Sequence, residues 1–217
     1  MTDARYEAIQ VNSTADVPLE TLRELAATLA PGLVVRVEDR QFFFKSMQAP
    51  SWVSFVADAD FWIKAFGAYA AIYAAELVKQ AATATWRVLA NRVAGAERGD
   101  PLVRFADEIQ KLQAAVSADT RIELALPIPD DDHWTTRLEI RTREAADIAA
   151  EVSLFVRHLP AIRKVIADFD LAKKARSGIK LELLDDGDMA VTWMDSAATQ
   201  EKTVVISLRS GRIEPTV

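Results

Sequence analysis

The chain has 217 residues, 50% of them hydrophobic and 27% charged, with no cysteine and a formal net charge of −6 from 26 Lys and Arg against 32 Asp and Glu. This balance supports a folded protein with a sizeable core, and the negative charge opposes binding to a nucleic-acid backbone. Without cysteine there is no disulfide, thiolate nucleophile or sulfur-ligated metal, and an N-terminus carrying Asp3 and Glu7 lacks the apolar run of a signal peptide, so a cytoplasmic location is expected.

In chain order, the alternation from Tyr6 to Val11 predicts a strand. Leu19, Leu22, Leu25, Ala26 and Leu29 recur at helical spacing, with Asp16 placed to cap and Pro18 in the first turn. Pro31-Gly32 stops that helix, and Leu33 to Glu38 reads as a second strand. If the two strands lie parallel in one sheet, the helix between them is the crossover. From Trp52 to Val93, the stripe Trp62, Phe66, Tyr69, Tyr73, Leu77 and Ala84 predicts one long helix or two shorter ones. Leu102, Phe105, Ile109, Leu112 and Val116 predict another helix after a glycine-containing turn, packed antiparallel to the first. The run Ala65 to Ala75 has no charge, but it is far shorter than the roughly 20 residues a membrane span requires.

A hairpin follows, with Ile122, Leu124 and Leu126 on one face of its first strand. Trp134, Thr136, Leu138 and Ile140 share a face of its second, and Pro127 to His133 connect the two. Arg137, Glu139 and Arg141 alternate with those apolar positions, so the opposite face of the sheet is expected to be wet. Arg143 to Ser177 reads as a long helix that kinks or divides at Pro160 and is capped by Gly178. Three strands close the chain: Ile179 to Leu184, Met189 to Met194 and Thr203 to Leu208. Asp185 to Asp188 forms the first turn between them, and the tail after Ser210 reads as frayed.

The expected fold is α+β, with a mixed or mainly antiparallel sheet and a β-α-β start. A helical hairpin (about 52–116), a long kinked helix (143–177) and a C-terminal three-strand meander complete it. The expectation is a single domain over 1–217, with 50–118 a possible helical hairpin insertion.

Chemistry-bearing motifs are sparse. The seven glycines trace neither a dinucleotide fingerprint nor a phosphate-binding loop, and His133 and His158 are too few for a three-histidine zinc site. No cofactor is implied. The most site-like run is Asp130-Asp131-Asp132-His133. Its carboxylates and imidazole, Asp130, Asp132 and His133 in particular, are of the types that hold a divalent cation or act as a base, although a solvated turn accounts for them more simply. Asp185-Asp186-Gly187-Asp188 lacks calcium-loop spacing and reads as hairpin chemistry. The basic cluster Arg163, Lys164, Lys173, Lys174 and Arg176 reads as the solvated end of a helix.

The aromatic density of the 52–86 segment is the other signal, with Phe61, Trp62, Phe66, Tyr69 and Tyr73 as candidate interface residues. Burial in the core is the competing reading, and the commoner one for aromatic side chains. From these features the expected function is a non-enzymatic protein-binding module, such as an adaptor, a regulatory subunit or an immunity-type neutralising protein. Its expected partner is another protein, with a homo-oligomer possible; nucleic acid and an integral membrane span are disfavoured. The alternatives are a metal-assisted hydrolase or nuclease, and peripheral attachment to a membrane.

Overall fold

The computed structural model describes residues 10–13, 17–18, 20–23, 36–39, 51–79, 101–128, 131–197 and 199–215, with the backbone alone for 36–39, 73–79, 131–135 and 176–177. Its strands are β1 (Gln10–Ser13), β2 (Arg36–Asp39), β3 (Trp52–Val56), β4 (Arg121–Ile128), β5 (Asp131–Ile140), β6 (Ala175–Leu183), β7 (Met189–Asp195), β8 (Gln200–Ile206) and β9 (Ile213–Pro215). The helices are α1 (Ala59–Lys79), α2 (Pro101–Ala115), α3 (Ala145–Asp168) and the single turn α4 (Leu171–Lys174); residues 20–23 are also helical. The protein is α+β, and its strands form one mixed sheet in the order β2-β1-β3-β4-β5-β6-β7-β8-β9.

Three strand pairs are parallel, β1 with β2, β3 with β4 and β5 with β6, and each is joined by a connection long enough to cross over. The expected β-α-β start is the first of these. The remaining pairs are antiparallel, including the expected hairpin β4–β5 and the meander β6–β7–β8. The α1–α2 and α3 crossovers move the chain one strand in the same direction across the sheet and share a face, where Trp62 of α1 touches Phe155 of α3. Because β4 and β5 are antiparallel, the two strand pairs point in opposite directions, so the two crossovers have opposite hands. One of them therefore departs from the strong right-handed preference of such connections.

Several boundaries differ from the sequence expectation. Trp52–Val56 is a strand between β1 and β4, so the stretch from 52 begins inside the sheet and the helix starts at Ala59. Four of the five β3 residues are buried, on both faces of the strand, which removes the alternation that marks a half-buried strand. The hairpin connection is also shorter than expected, because Pro127, Ile128 and Asp131 to His133 all belong to strands. The long helix ends at Asp168, and Gly178, with φ 82°, lies within β6 beside an irregularity in its pairing, where it caps nothing. Pro160 lies inside α3 without dividing it. Val156, Leu159 and Ile162 around it are buried, and that packing holds the helix across the lost hydrogen bond. The tail contributes β9, paired with β8 through Ile213 to Pro215.

The helical layer packs on the sheet face formed by Phe55, Leu124, Leu138, Leu181, Val191 and Val204, which the strand register places in one row. Its centre is aromatic. Trp62 stacks on Phe66 with ring centroids 6.0 Å apart and meets Phe105 of α2 and Phe155 of α3 edge-on at 6.0 and 5.9 Å, while Phe55 of β3 meets Phe105 at 6.0 Å. The Trp62 indole donates to the carbonyl of Ala125, which also accepts from the Ala57 amide. Elsewhere, Gly187 at φ 85° turns the β6–β7 hairpin, and a Cβ there would sit 3.0 Å from Leu208. Leu208 is held in turn because its amide donates to Asp188 Oδ1 at 2.7 Å.

Trp62→Ala is expected to cost about 3–5 kcal/mol in urea unfolding, whereas Ile72→Ala, at a position 63% exposed, should change stability by less than about 0.5 kcal/mol. Equal effects at the two positions would contradict the placement of Trp62 at the centre of the core.

Candidate functional site

The five aromatic candidates do not form one surface. Trp62 is fully buried and Phe66 is 3% exposed, so these two belong to the interior. Phe61 and Tyr69 are half-buried and pack against the core, and the Tyr73 side chain lies outside the described residues. The aromatic density is spent mainly inside, because α1 packs beside α3 and α2 in the layer over the sheet and large rings fill those contacts.

What α1 turns outward is different. Asp60, Lys64, Ala68 and Ile72 follow one another at four-residue spacing and are exposed, as is Ala71. Asp60 is tied to α3, where Arg163 donates to its carboxylate at 2.7 Å. Beyond Lys64 the exposed positions Ala68, Ala71 and Ile72 carry no polar group over two turns. Ile72 is the large hydrophobic residue most open to solvent among the described residues. Its sequence signal was the uncharged run Ala65 to Ala75, whose exposed positions among the described residues are two alanines and one isoleucine in place of aromatic rings.

The other broad surface is the face of the sheet opposite the helices, as the alternation of Arg137, Glu139 and Arg141 predicts. It holds a shallow trough of about 560 Å³ over β4 to β8. The register arranges its charges in bands across the strands. Arg137 stands beside Lys180, Glu123 faces Glu139 with Glu182 one strand further on, and Thr192 pairs with Thr203 beyond. The bands neutralise each other along the strands: Arg137 to Glu123 at 3.9 Å and Lys180 to Glu182 at 3.4 Å. Burial raises the Glu123 carboxyl above its ordinary range, with Arg137 opposing and Glu139 reinforcing that shift. The exposed Lys180–Glu182 pair contributes little stability, and together the bands leave a face without strong net charge.

The remaining candidates resolve as follows. Asp131, Asp132 and His133 lie in β5 as backbone, their side chains are outside the described residues, and Asp130 is outside them altogether. Among the described residues, no group of three or more His, Cys, Asp or Glu side chains is placed to hold a metal ion, and no helix is long and apolar enough to cross a membrane. His158 is buried and its Nε2 donates to the Gly187 carbonyl at 2.8 Å, fastening α3 to the β6–β7 turn; burial lowers its pKa. The Asp185–Asp188 turn uses its carboxylates internally, through Asp186 to the Asp188 amide and Asp188 to the Leu208 amide.

Glu151 is the titratable group that the sequence did not single out. It sits on the inner side of α3 at 9% exposure, and its Oε2 has no hydrogen-bond partner. Burial raises its pKa to about 7, against the opposing pull of the Arg141 backbone and the Thr142 hydroxyl. No family model, no curated protein and no solved structure matches the chain.

The Glu151 carboxyl ionises near 4.5 in the unfolded chain and near 7 in the folded one. Between these values the folded protein still holds a proton that the unfolded chain has released, so stability falls as pH rises from 4.5 to 7 and stays lower above. The full shift corresponds to roughly 3 kcal/mol as an upper bound. Glu151→Gln is therefore expected to match wild type near pH 4.5 and exceed it at pH 8 in urea unfolding; a difference that stays constant with pH would refute the assignment.

Proposed function

We propose that this protein is a non-enzymatic protein-binding module that docks a helix of a partner protein on the outward face of α1. The observation behind this reading is the exposed row of Ala68, Ala71 and Ile72, without polar side chains, on a helix whose opposite side is buried in the core. A helix exposed on one side ordinarily carries charge there, and one that is apolar all round is ordinarily covered. Alanines at 68 and 71 permit close approach of a second helix, and Ile72 offers one knob for its groove. Lys64 and the paired Asp60–Arg163 bound the row at its N-terminal end and supply the polar rim that such contacts use.

The apolar row supports a protein partner over a nucleic acid, as does the net charge of −6. The trough on the sheet face, with its self-neutralised bands, carries no comparable apolar centre. The hydrolase reading has only Asp130, Asp132 and His133 behind it, and their side chains lie outside the described residues.

The test is photo-crosslinking in native lysate with a benzophenone amino acid at position 72 and, as control, at position 180 on the sheet face. A discrete adduct from position 72 alone is expected, lost when Ala68→Glu is added in a protein that keeps its melting temperature. An adduct at twice the chain's mass would identify the partner as a second copy. Adducts from position 180 alone, or from neither position, would refute the reading. Ala68→Glu is expected to weaken the captured complex roughly tenfold or more, the scale of an interface centre.

A further inference from the structure

Where β4 begins and β5 ends, the strand register sets two cations against each other. Ile122 pairs with Ile140, so Arg121, one residue earlier, stands opposite Arg141, one residue later. Like charges directly across an antiparallel pair are unfavourable. Arg141 turns towards β6, where it donates to Glu182 at 2.8 Å. Between the two strands' ends and the α2–β4 turn lies a pocket of about 160 Å³, lined by Arg121, Arg141, Arg143, Ser117, Thr120 and Glu139. That is the volume of about five waters. Arg121 and Arg143 make no ion pair among the described residues, and Glu139 is the one carboxylate in the lining.

We propose that this pocket binds a phosphate group. The three arginines come from three places, the first residue of β4, the residue after β5 and the turn into α3, and all of them line this one pocket. A planar carboxylate is satisfied by one guanidinium fork, whereas a tetrahedral oxyanion directs its oxygens towards several. Glu182 already pairs Arg141, so an anion in the pocket would chiefly compensate the charges of Arg121 and Arg143. The hydroxyl-bearing residues Ser117 and Thr120 in the lining are of a kind that phosphate sites use as donors. The pocket shares no residue with the outward row of α1, and the proposal stands independently of the protein-binding reading.

The experiment titrates the full chain with inorganic phosphate, phenyl phosphate, acetate or chloride at equal ionic strength, followed by amide chemical shifts and melting temperature. Saturable shifts at Ser117 to Arg121 and Arg141 to Arg143 are expected with phosphate, with weaker or no response to acetate and chloride. Phenyl phosphate binding as tightly as phosphate assigns the site to the phosphate of a larger ligand; binding of inorganic phosphate alone assigns it to the free anion. Arg121→Gln and Arg143→Gln, both at exposed positions, should each weaken binding roughly 10- to 100-fold. Equal responses to phosphate and chloride, acetate binding as tightly as phosphate, or unchanged affinity in both variants would overturn the proposal.

Discussion

The packing of Trp62 against Phe66, Phe105 and Phe155 is the contact on which the architecture depends. Those four rings belong to three helices, and Phe55 extends the group into the sheet through Phe105. Each ring by itself buries a large apolar area, and their edge-on contacts add directional preference. The indole N–H reaches the Ala125 carbonyl, so even the polar atom of the largest side chain is used to bind α1 to β4. An aromatic-rich segment thereby serves first as the joint between layers, and only the residues it leaves outward are free for another task.

That joint forces a one-sided arrangement. With α1, α2 and α3 gathered on one face, the opposite face of β4 to β8 carries charges banded across the strands. The bands follow from the two-residue period of a strand: once Leu124, Leu138 and Leu181 face the helices, Glu123, Arg137, Glu139 and Lys180 must face away. Within a band like charges adjoin, and neighbouring bands compensate them. At the strand ends Arg121 and Arg141 begin the next band, and Arg141 is compensated by Glu182 on β6.

The inner side of α3 shows the converse. Glu151 is carried inward on a helix whose neighbours Ile148, Val152 and Phe155 are buried, and the Oε2 atom gains no partner for the desolvation it suffers. His158, two turns on, is equally enclosed but satisfied by a backbone carbonyl. One buried polar group fastens α3 to a hairpin turn; the other makes stability depend on a single proton near neutral pH.

Local pattern alone determined the α+β class, the hairpin of Ile122 and Ile140, the meander from Ile179 onward and the wet face marked by Arg137 and Glu139. In each of these, the hydrophobic period and the turn residues act between near neighbours. Tertiary structure decided the rest. Val53 to Val56 are buried on both faces of a strand paired between β1 and β4, and Pro160 continues a helix because packing holds it. Trp62 lies inside while Ile72 lies outside, although both are apolar residues of one helix. Arg121 and Arg141 line one pocket only because the strand register brings their positions together. Burial, pairing partner and pKa are properties of neighbours far apart in the chain, and a sequence states the residues without stating which of them will meet.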